Sequence, residues 1–226
     1  MRRWLRLLPL AFLVGCSELD EGEGGIVALE VRAPFPAIIE VGETVQLSAT
    51  PLDADGDSVA APVSWRSPDA TVSVGETTGQ VTGVSPGTGR VQATSGSLSS
   101  ELISFSILAP ADTLLLVGDS VVVAAAEPGT ATLTAELQSF SPPGVLASRP
   151  VIYEITRPTA TPLAVTLPGG VLIDTLTTGA DGRASVTLSR DLATAVPDSV
   201  FVEIRASRTR GAVVPGSGQR FIVLFQ

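Results

Sequence analysis

From Ile26 onwards, apolar and polar residues alternate along the chain in short runs. A period of two is typical of β-strands that bury one face, whereas an amphipathic helix repeats every 3.6 residues. Clear runs are Val45–Thr50, Val91–Thr94 and Val200–Ala206. We find no convincing helix in this part of the chain, although Arg190–Ala195 has room for a single turn.

Turn residues interrupt these runs at short intervals. Glycine, proline, aspartate and serine favour turns because of their backbone freedom, their fixed φ or their local hydrogen bonds. The clearest turn signals are Asp55-Gly56, Ser67-Pro68-Asp69, Thr78-Gly79, Pro86-Gly87, Pro128-Gly129, Pro143-Gly144 and Asp181-Gly182. Many short strands joined by such turns predict an all-β fold, an antiparallel sandwich or barrel.

A short motif that occurs twice, here called the internal echo, predicts two domains in tandem. The run Val41–Val45 (VGETV) returns as Val117–Val121 (VGDSV), in each case a glycine turn followed by an acid, a hydroxyl residue and a strand. Ala109-Pro110-Ala111 lies just before the second copy, and its central proline should make this joint stiff. We therefore expect one domain over residues 26–108 and a second over residues 112–226.

The amino terminus has the features of a signal peptide. Three arginines precede the short apolar run Leu7–Val14, which is too short to span a bilayer. The segment Leu13–Cys16 (LVGC) resembles the bacterial lipoprotein signal, in which small residues precede a cysteine that receives a diacylglyceryl group through a thioether. The resemblance implies a signal peptide over residues 1–15 and lipidation of Cys16. The alternative is a chance cysteine in an ordinary secretory signal.

Residues 16–25 are acidic and rich in glycine, so we expect a flexible tether between lipid and fold. Several buried acyl chains would hold this end in a membrane. No later run of the sequence approaches the length of a membrane-spanning helix. In the lipoprotein family, Ser17 in place of an aspartate favours the outer membrane, with the protein facing the periplasm or the cell surface.

Charge and composition narrow the functional classes. The chain has a net charge of −9, one cysteine, and no histidine, lysine or asparagine, so all 14 basic residues are arginine. Cleavage before Cys16 would remove three of them and leave 11 basic against 23 acidic residues, a net charge of −12. An acidic body repels phosphate backbones, so we expect no nucleic-acid partner. An intramolecular disulfide and all histidine- or lysine-based chemistry are excluded.

The first block carries a family resemblance. Its motifs are, in order, Val41–Leu47 (VGETVQL), Val63–Asp69 (VSWRSPD), Gly79–Val84 (GQVTGV) and Pro86–Thr94 (PGTGRVQAT). This pattern resembles a bacterial immunoglobulin-like domain of group 2, the type found in intimin-like adhesins and many surface proteins. The resemblance implies an immunoglobulin-like antiparallel β-sandwich. Trp65, the only tryptophan after the signal, should fill its centre between the small inward residues Ala49 and Ala93.

The second block resembles the same superfamily more loosely. Thr177–Leu188 (TTGADGRASVTL) is similar to a turn and strand of group 1, invasin-type domains. The long region Leu137–Leu163 departs from a compact repeat and leaves the subtype open. Taken together, the sequence predicts two tandem immunoglobulin-like sandwiches after a lipoprotein signal peptide. Because function usually sits on loops of a rigid sandwich, we expect contacts within Phe140–Pro162.

Two charge clusters are candidate binding sites. Asp53, Asp55 and Asp57 surround a glycine, and calcium prefers such oxygen clusters, but a plain hairpin turn needs the same residues. We favour the turn, and expect millimolar calcium to leave stability unchanged. Arg205, Arg208 and Arg210 suit either a small anion-binding edge or a solvated loop between the last two strands, and we favour the loop.

Nothing in the sequence marks a catalytic centre. A glycosidase-like pair of carboxylates remains open, but no two acidic residues stand out as partners, and the serines and threonines lack a base. We expect no enzyme, no cofactor and no metal. The favoured function is an anchored module for adhesion or for protein or glycan binding, and the alternative is a non-catalytic structural spacer or envelope assembly component.

Replacing Cys16 with serine tests the anchor. Serine cannot form the thioether, so we expect Cys16→Ser to remain uncleaved at that site and to lose its lipid. Mass spectrometry of the intact protein and membrane fractionation measure both. Normal processing and membrane retention of the variant would contradict lipidation.

Overall fold

The computed structural model describes residues 25–124, 129–157, 164–190 and 199–225. Within these ranges every regular element is a β-strand, and no helix has the length and apolarity that crossing a membrane requires. The strands form two sandwiches, each around its own hydrophobic core. The signal peptide, Cys16 and nearly all of the tether lie outside the described residues, as does most of the single helical turn expected at Arg190–Ala195.

Ten strands form the first sandwich. They are β1 (Ala28–Arg32), β2 (Ile38–Glu40), β3 (Thr44–Gln46), β4 (Ser48–Leu52), β5 (Ser64–Arg66), β6 (Val72–Val74), β7 (Gln80–Gly83), β8 (Gly87–Ser95), β9 (Leu98–Ser99) and β10 (Ile103–Leu108). One layer contains β1–β4 and β3–β7–β6, and the other runs β2–β10–β8–β5 with β9 beside β8. The pair β2–β10 is parallel and the others are antiparallel.

The core of the first sandwich confirms the predicted alternation. Val45, Leu47, Val91 and Ala93 are all buried, and the residues between them are more exposed. Trp65 on β5 is 5% exposed and packs in the same cluster, as expected. Residue 79, which lies against the Trp65 ring, has to be glycine. Its φ is +68°, and a Cβ at this position would lie 2.8 Å from the Trp65 indole nitrogen.

Ten further strands form the second sandwich. They are β11 (Thr113–Val117), β12 (Val121–Val123), β13 (Thr130–Phe140), β14 (Pro143–Val145), β15 (Pro150–Arg157), β16 (Val165–Thr166), β17 (Ile173–Thr177), β18 (Arg183–Arg190), β19 (Ser199–Arg205) and β20 (Arg220–Leu224). One layer runs β11–β13–β18–β16 with β14 beside β13, and the other runs β12–β20–β19–β15–β17. The predicted all-β fold is confirmed for this block, and the alternating run Val200–Ala206 buries Val200, Val202, Ile204 and Ala206.

Most of the described part of Phe140–Pro162 is not the loop that the sequence predicts, and contacts with a partner in this region stay a prediction. Strands β14 and β15 occupy most of it, and residues 158–162 lie outside the described ranges. Pro143 and Gly144 are likewise in strand β14 rather than at a turn, facing Phe140 and Ser139 of β13. An edge strand tolerates proline, because an edge leaves one side of the backbone unpaired.

The internal echo reflects a shared turn and not equivalent positions in two repeats. Gly42 and Gly118 both have positive φ, at 82° and 86°. The strand after Gly42 is β3, which pairs antiparallel with β7, whereas the strand after Gly118 is β12, which pairs parallel with β20. A glycine followed by an acid and a hydroxyl residue is a local turn signal, so it recurs wherever such a turn is needed.

Tyr153 is the polar centre of the second core. Its side chain is fully buried on β15, and its hydroxyl reaches the opposite layer. There it accepts a hydrogen bond of 2.8 Å from the Ala135 amide and donates one of 2.5 Å to the Ala184 carbonyl, on facing residues of β13 and β18. Burial raises the pKa of the Tyr153 phenol well above its usual value, so the hydroxyl stays protonated and able to donate.

Replacing Tyr153 with phenylalanine should destabilise the second sandwich by about 1–3 kcal/mol. The reason is that the buried Ala135 amide and Ala184 carbonyl lose their partner while the packing volume stays almost constant. Urea unfolding followed by circular dichroism measures the change. Thr187→Val, on the exposed side of β18, is the control and should change stability little. Equal stability of Tyr153→Phe and the parent would show that the hydroxyl has no structural role.

Candidate functional site

The aspartate cluster is a turn, as the sequence predicts. One carboxylate oxygen of Asp53 accepts hydrogen bonds from the amides of Asp55, at 3.1 Å, and Asp57, at 2.9 Å. Gly56 supplies the positive φ, at 85°. Among the described residues no three histidine, cysteine or acidic side chains cluster in a way that could hold a metal ion. The absence of a calcium effect stays a prediction.

The arginine cluster is not the solvated loop that the sequence favours. Arg205 pairs with Glu154 on the neighbouring strand, whereas Arg208 and Arg210 extend from residues 206–219, here named the clamp loop, towards the first sandwich. The loop lies at the end of the second sandwich that faces the joint, so these side chains find partners there. The alternative, an anion-binding edge, finds no support, because all three arginines already contact protein oxygens.

A buried carboxylate lies at the joint between the sandwiches. Glu40, the last residue of β2, is 0% exposed. One of its carboxylate oxygens accepts a hydrogen bond of 2.8 Å from a guanidinium nitrogen of Arg149 in the second sandwich. The other accepts a hydrogen bond of 2.8 Å from the Ala111 amide and lies 3.7 Å from Arg208. Both oxygens therefore have partners across the joint.

Arg149 immediately precedes β15, and hydrogen bonds hold both its backbone and its side chain. Its backbone amide donates to the hydroxyl of Thr178 at 2.9 Å, and its second guanidinium nitrogen donates to the Ala109 carbonyl at 2.7 Å. The residue before it, Ser148, has the left-handed φ of 59°, which directs the following chain. One side chain thus binds both the first sandwich and the linking segment.

The clamp loop adds a second set of contacts. Arg208 donates to the Ala111 carbonyl at 3.0 Å and pairs with Asp112 at 2.8 Å. Glu43 accepts hydrogen bonds from the Thr209 hydroxyl and the Arg210 amide. Glu43 also accepts the amide of Glu40 at 2.8 Å, which links the two halves of the network.

Two of the arginines that reach the joint pair with carboxylates. Arg149 pairs with Glu40, and Arg208 pairs with Asp112 and lies 3.7 Å from Glu40. The Arg210 guanidinium donates instead to the Pro36 carbonyl, while the backbone amide of Arg210 donates to Glu43. Burying one carboxylate without a cation would be costly, and a fully hydrogen-bonded pair offsets that cost. The arrangement fixes how the two sandwiches meet.

Neither Glu40 nor Arg149 was identified from the sequence, since 109 residues separate them. One signal was available, because Glu40 interrupts an otherwise apolar run, Ala37–Val41. A charged residue in such a run requires a partner if it is buried. The sequence does not say which arginine supplies it.

Replacing Arg149 with methionine should open the joint. A methionine keeps much of the volume but removes the hydrogen-bonded cation of the buried Glu40 and leaves only Arg208, 3.7 Å away, at a cost of up to about 3–5 kcal/mol that separation of the sandwiches relieves. We expect trypsin, which cuts after arginine, to cleave at Arg208 and Arg210 about 100-fold faster or more, because cleavage follows the open population. Peptide mapping over time measures the rate.

Two further variants make this prediction specific. Arg183→Met removes a half-exposed ion pair with Glu136 on the second sandwich, and should leave cleavage at Arg208 almost unchanged. Glu40→Leu combined with Arg149→Leu replaces the pair by apolar groups and should restore slow cleavage. A parental cleavage rate in Arg149→Met would contradict a locking role for the pair.

Comparison with known proteins supports the fold assignment of the first block. Residues 33–103 match the family described as bacterial Ig-like domain (group 2). No curated protein matches the chain significantly.

Three solved structures resemble the chain at low identity. The adhesin InvE of Yersinia pseudotuberculosis shares 17% identity over 91% of this chain and 61% of its own, with a TM-score of 0.41. The fibronectin(III)-like modules of Clostridium thermocellum CbhA share 18% over 88% and 93%, with a TM-score of 0.40. The D00-D0 domain of intimin shares 15% over 87% and 100%, with a TM-score of 0.33. This chain thus spans less than two thirds of the adhesin InvE. Its first sandwich carries a bacterial immunoglobulin-like domain of group 2.

Proposed function

We propose that this protein is a lipid-anchored component of the bacterial cell envelope that presents two immunoglobulin-like sandwiches as one stiff module for adhesion or for protein or glycan binding. The observation that carries the proposal is the buried ion pair between Glu40 and Arg149, with the clamp loop beside it. Domains that move freely relative to each other need no buried ion pair at their joint. A module that must hold its outer end in a fixed position does need such a pair.

The order of parts along the chain supports presentation away from a membrane. The anchor proposed at Cys16 precedes the first sandwich by the short acidic tether. Ile26, which immediately follows, is already buried at 3% exposure, so the ordered fold begins close to the anchor. The second sandwich then follows through Ala109–Ala111 and lies further from the proposed lipid along the chain.

A structural spacer is the second candidate, and the surface of the first sandwich favours it. The outward residues of β8 and β10 are polar, among them Thr88, Arg90, Gln92, Ser104 and Ser106. Such a face gives little apolar area for a partner. In both candidates the protein is non-catalytic, which agrees with the kind of domain that residues 33–103 form.

Adhesion of whole cells separates the two candidates. Cells that produce the full chain should attach to surfaces coated with envelope proteins or glycans more than cells without it. Cys16→Ser should abolish the gain, because an unanchored module cannot tether a cell. Arg149→Met should reduce it while keeping the protein at the membrane. If no coating increases the attachment of cells that produce the protein, and if the parent protein captures no protein or glycan from an envelope extract, the binding function is wrong and the spacer function is favoured.

A further inference from the structure

In both sandwiches the second strand lies beside the last strand and runs parallel to it. We name these two contacts the terminal pairs: β2 with β10 in the first sandwich, and β12 with β20 in the second. Every other strand pair that the structure describes is antiparallel. The chain therefore enters and leaves each sandwich through strands that are bonded to each other.

A force along the chain acts on both terminal pairs in the same way. In the first sandwich β2 and β10 both run towards the joint, so a pull on the tether draws β2 back while a pull on the linking segment draws β10 forward. The same holds for β12 and β20 in the second sandwich. Parallel strands have evenly spaced hydrogen bonds, and sliding one strand along the other stretches all of these bonds together. Strands that are peeled apart from one end lose their bonds one after another.

Backbone hydrogen bonds hold the first terminal pair at both of its ends. At one end the Ser106 amide donates to the Ala37 carbonyl at 2.9 Å. At the other end the Val41 amide donates to the Leu108 carbonyl at 3.0 Å. Sliding β2 along β10 has to break both of these bonds.

The second terminal pair is held in the same manner. The Ile222 amide donates to the Ser120 carbonyl at 2.7 Å, and the Ala124 amide donates to the Leu224 carbonyl at 2.9 Å. The two sandwiches thus resist the same direction of force with the same kind of contact, although their strands differ in sequence.

The joint adds side-chain contacts to the first terminal pair. Glu40 is the last residue of β2, and its carboxylate accepts a hydrogen bond of 2.8 Å from the Ala111 amide, which follows β10 in the chain. Arg149 binds both Glu40 and the Ala109 carbonyl. The segment that pulls on β10 is therefore tied to β2, and a force on this segment acts on both strands.

We propose that the tandem carries tension along its chain, and that the terminal pairs are the contacts that resist it. The inference rests on the proposed function, in which one end is anchored and the other end is held by a partner. An anchored module of this kind transmits every pull on its outer end through both sandwiches. Unfolding under force is governed by the barrier to opening, and a contact whose bonds must break together raises that barrier.

Single-molecule pulling on the full chain tests the first terminal pair. Cys16 is the only cysteine, so in a chain synthesised without membranes its thiol takes one handle, and a tag after Gln226 takes the other. Val41→Pro removes the amide that donates to Leu108, because proline has no N–H. We expect the first sandwich, which gives the shorter of the two unfolding steps, to open about tenfold faster at constant force.

Val59→Pro is the matched control for this substitution. It also removes one backbone hydrogen bond of the first sandwich, from the Val59 amide to the Pro51 carbonyl at 2.9 Å, but this bond lies outside the terminal pair. Urea unfolding measures what each proline costs without force. We expect Val59→Pro to leave the unfolding rate under force almost unchanged. Equal acceleration by the two prolines would show that the terminal pair does not resist the force.

The direction of pulling tests the same proposal without a proline. Ser97→Cys places the second handle in the exposed turn between β8 and β9, so a force between positions 16 and 97 no longer passes through β10. We expect the first sandwich to open at least about tenfold faster in this direction than in the end-to-end direction at the same force. Equal rates in the two directions would overturn the proposal. Both measurements are made without cells, so the mechanical role can fail while adhesion is observed, and adhesion can fail while the mechanical role is observed.

Discussion

A carboxylate that is removed from water between two sandwiches constrains the whole tandem. Glu40 is completely buried, and its charge is compensated only while Arg149 and the Ala111 amide remain in place. Separation of the sandwiches would strip all of these partners away at once. The linking segment is therefore not a free hinge, because its own backbone supplies Ala109 and Ala111 to the same network. The sequence predicts a stiff joint because of its central proline, but the buried Glu40–Arg149 pair restrains the joint more strongly than the proline does.

Each core contains few aromatic side chains, and one of them in each core makes a decisive contact. Trp65 fills the first core above a glycine turn, whereas Tyr153 spans the second core and satisfies backbone groups of the opposite layer. The remaining core positions are mostly valine, leucine, isoleucine and alanine. Small and branched side chains pack well on pleated surfaces, and this lets the fold dispense with a disulfide.

The amino-acid sequence by itself determined the local architecture. Alternation with a period of two, glycine turns and the group 2 motifs were sufficient for an all-β fold and a buried Trp65, because each depends on residues close together in the chain. Only the tertiary structure decided that Glu40 pairs with Arg149, that Arg208 clamps the joint, and that the repeated glycine turn serves two different strands. Ion pairs between distant segments leave no periodic trace, since any arginine in the chain could have supplied the charge. The fold must first bring the segments together before the partner is defined.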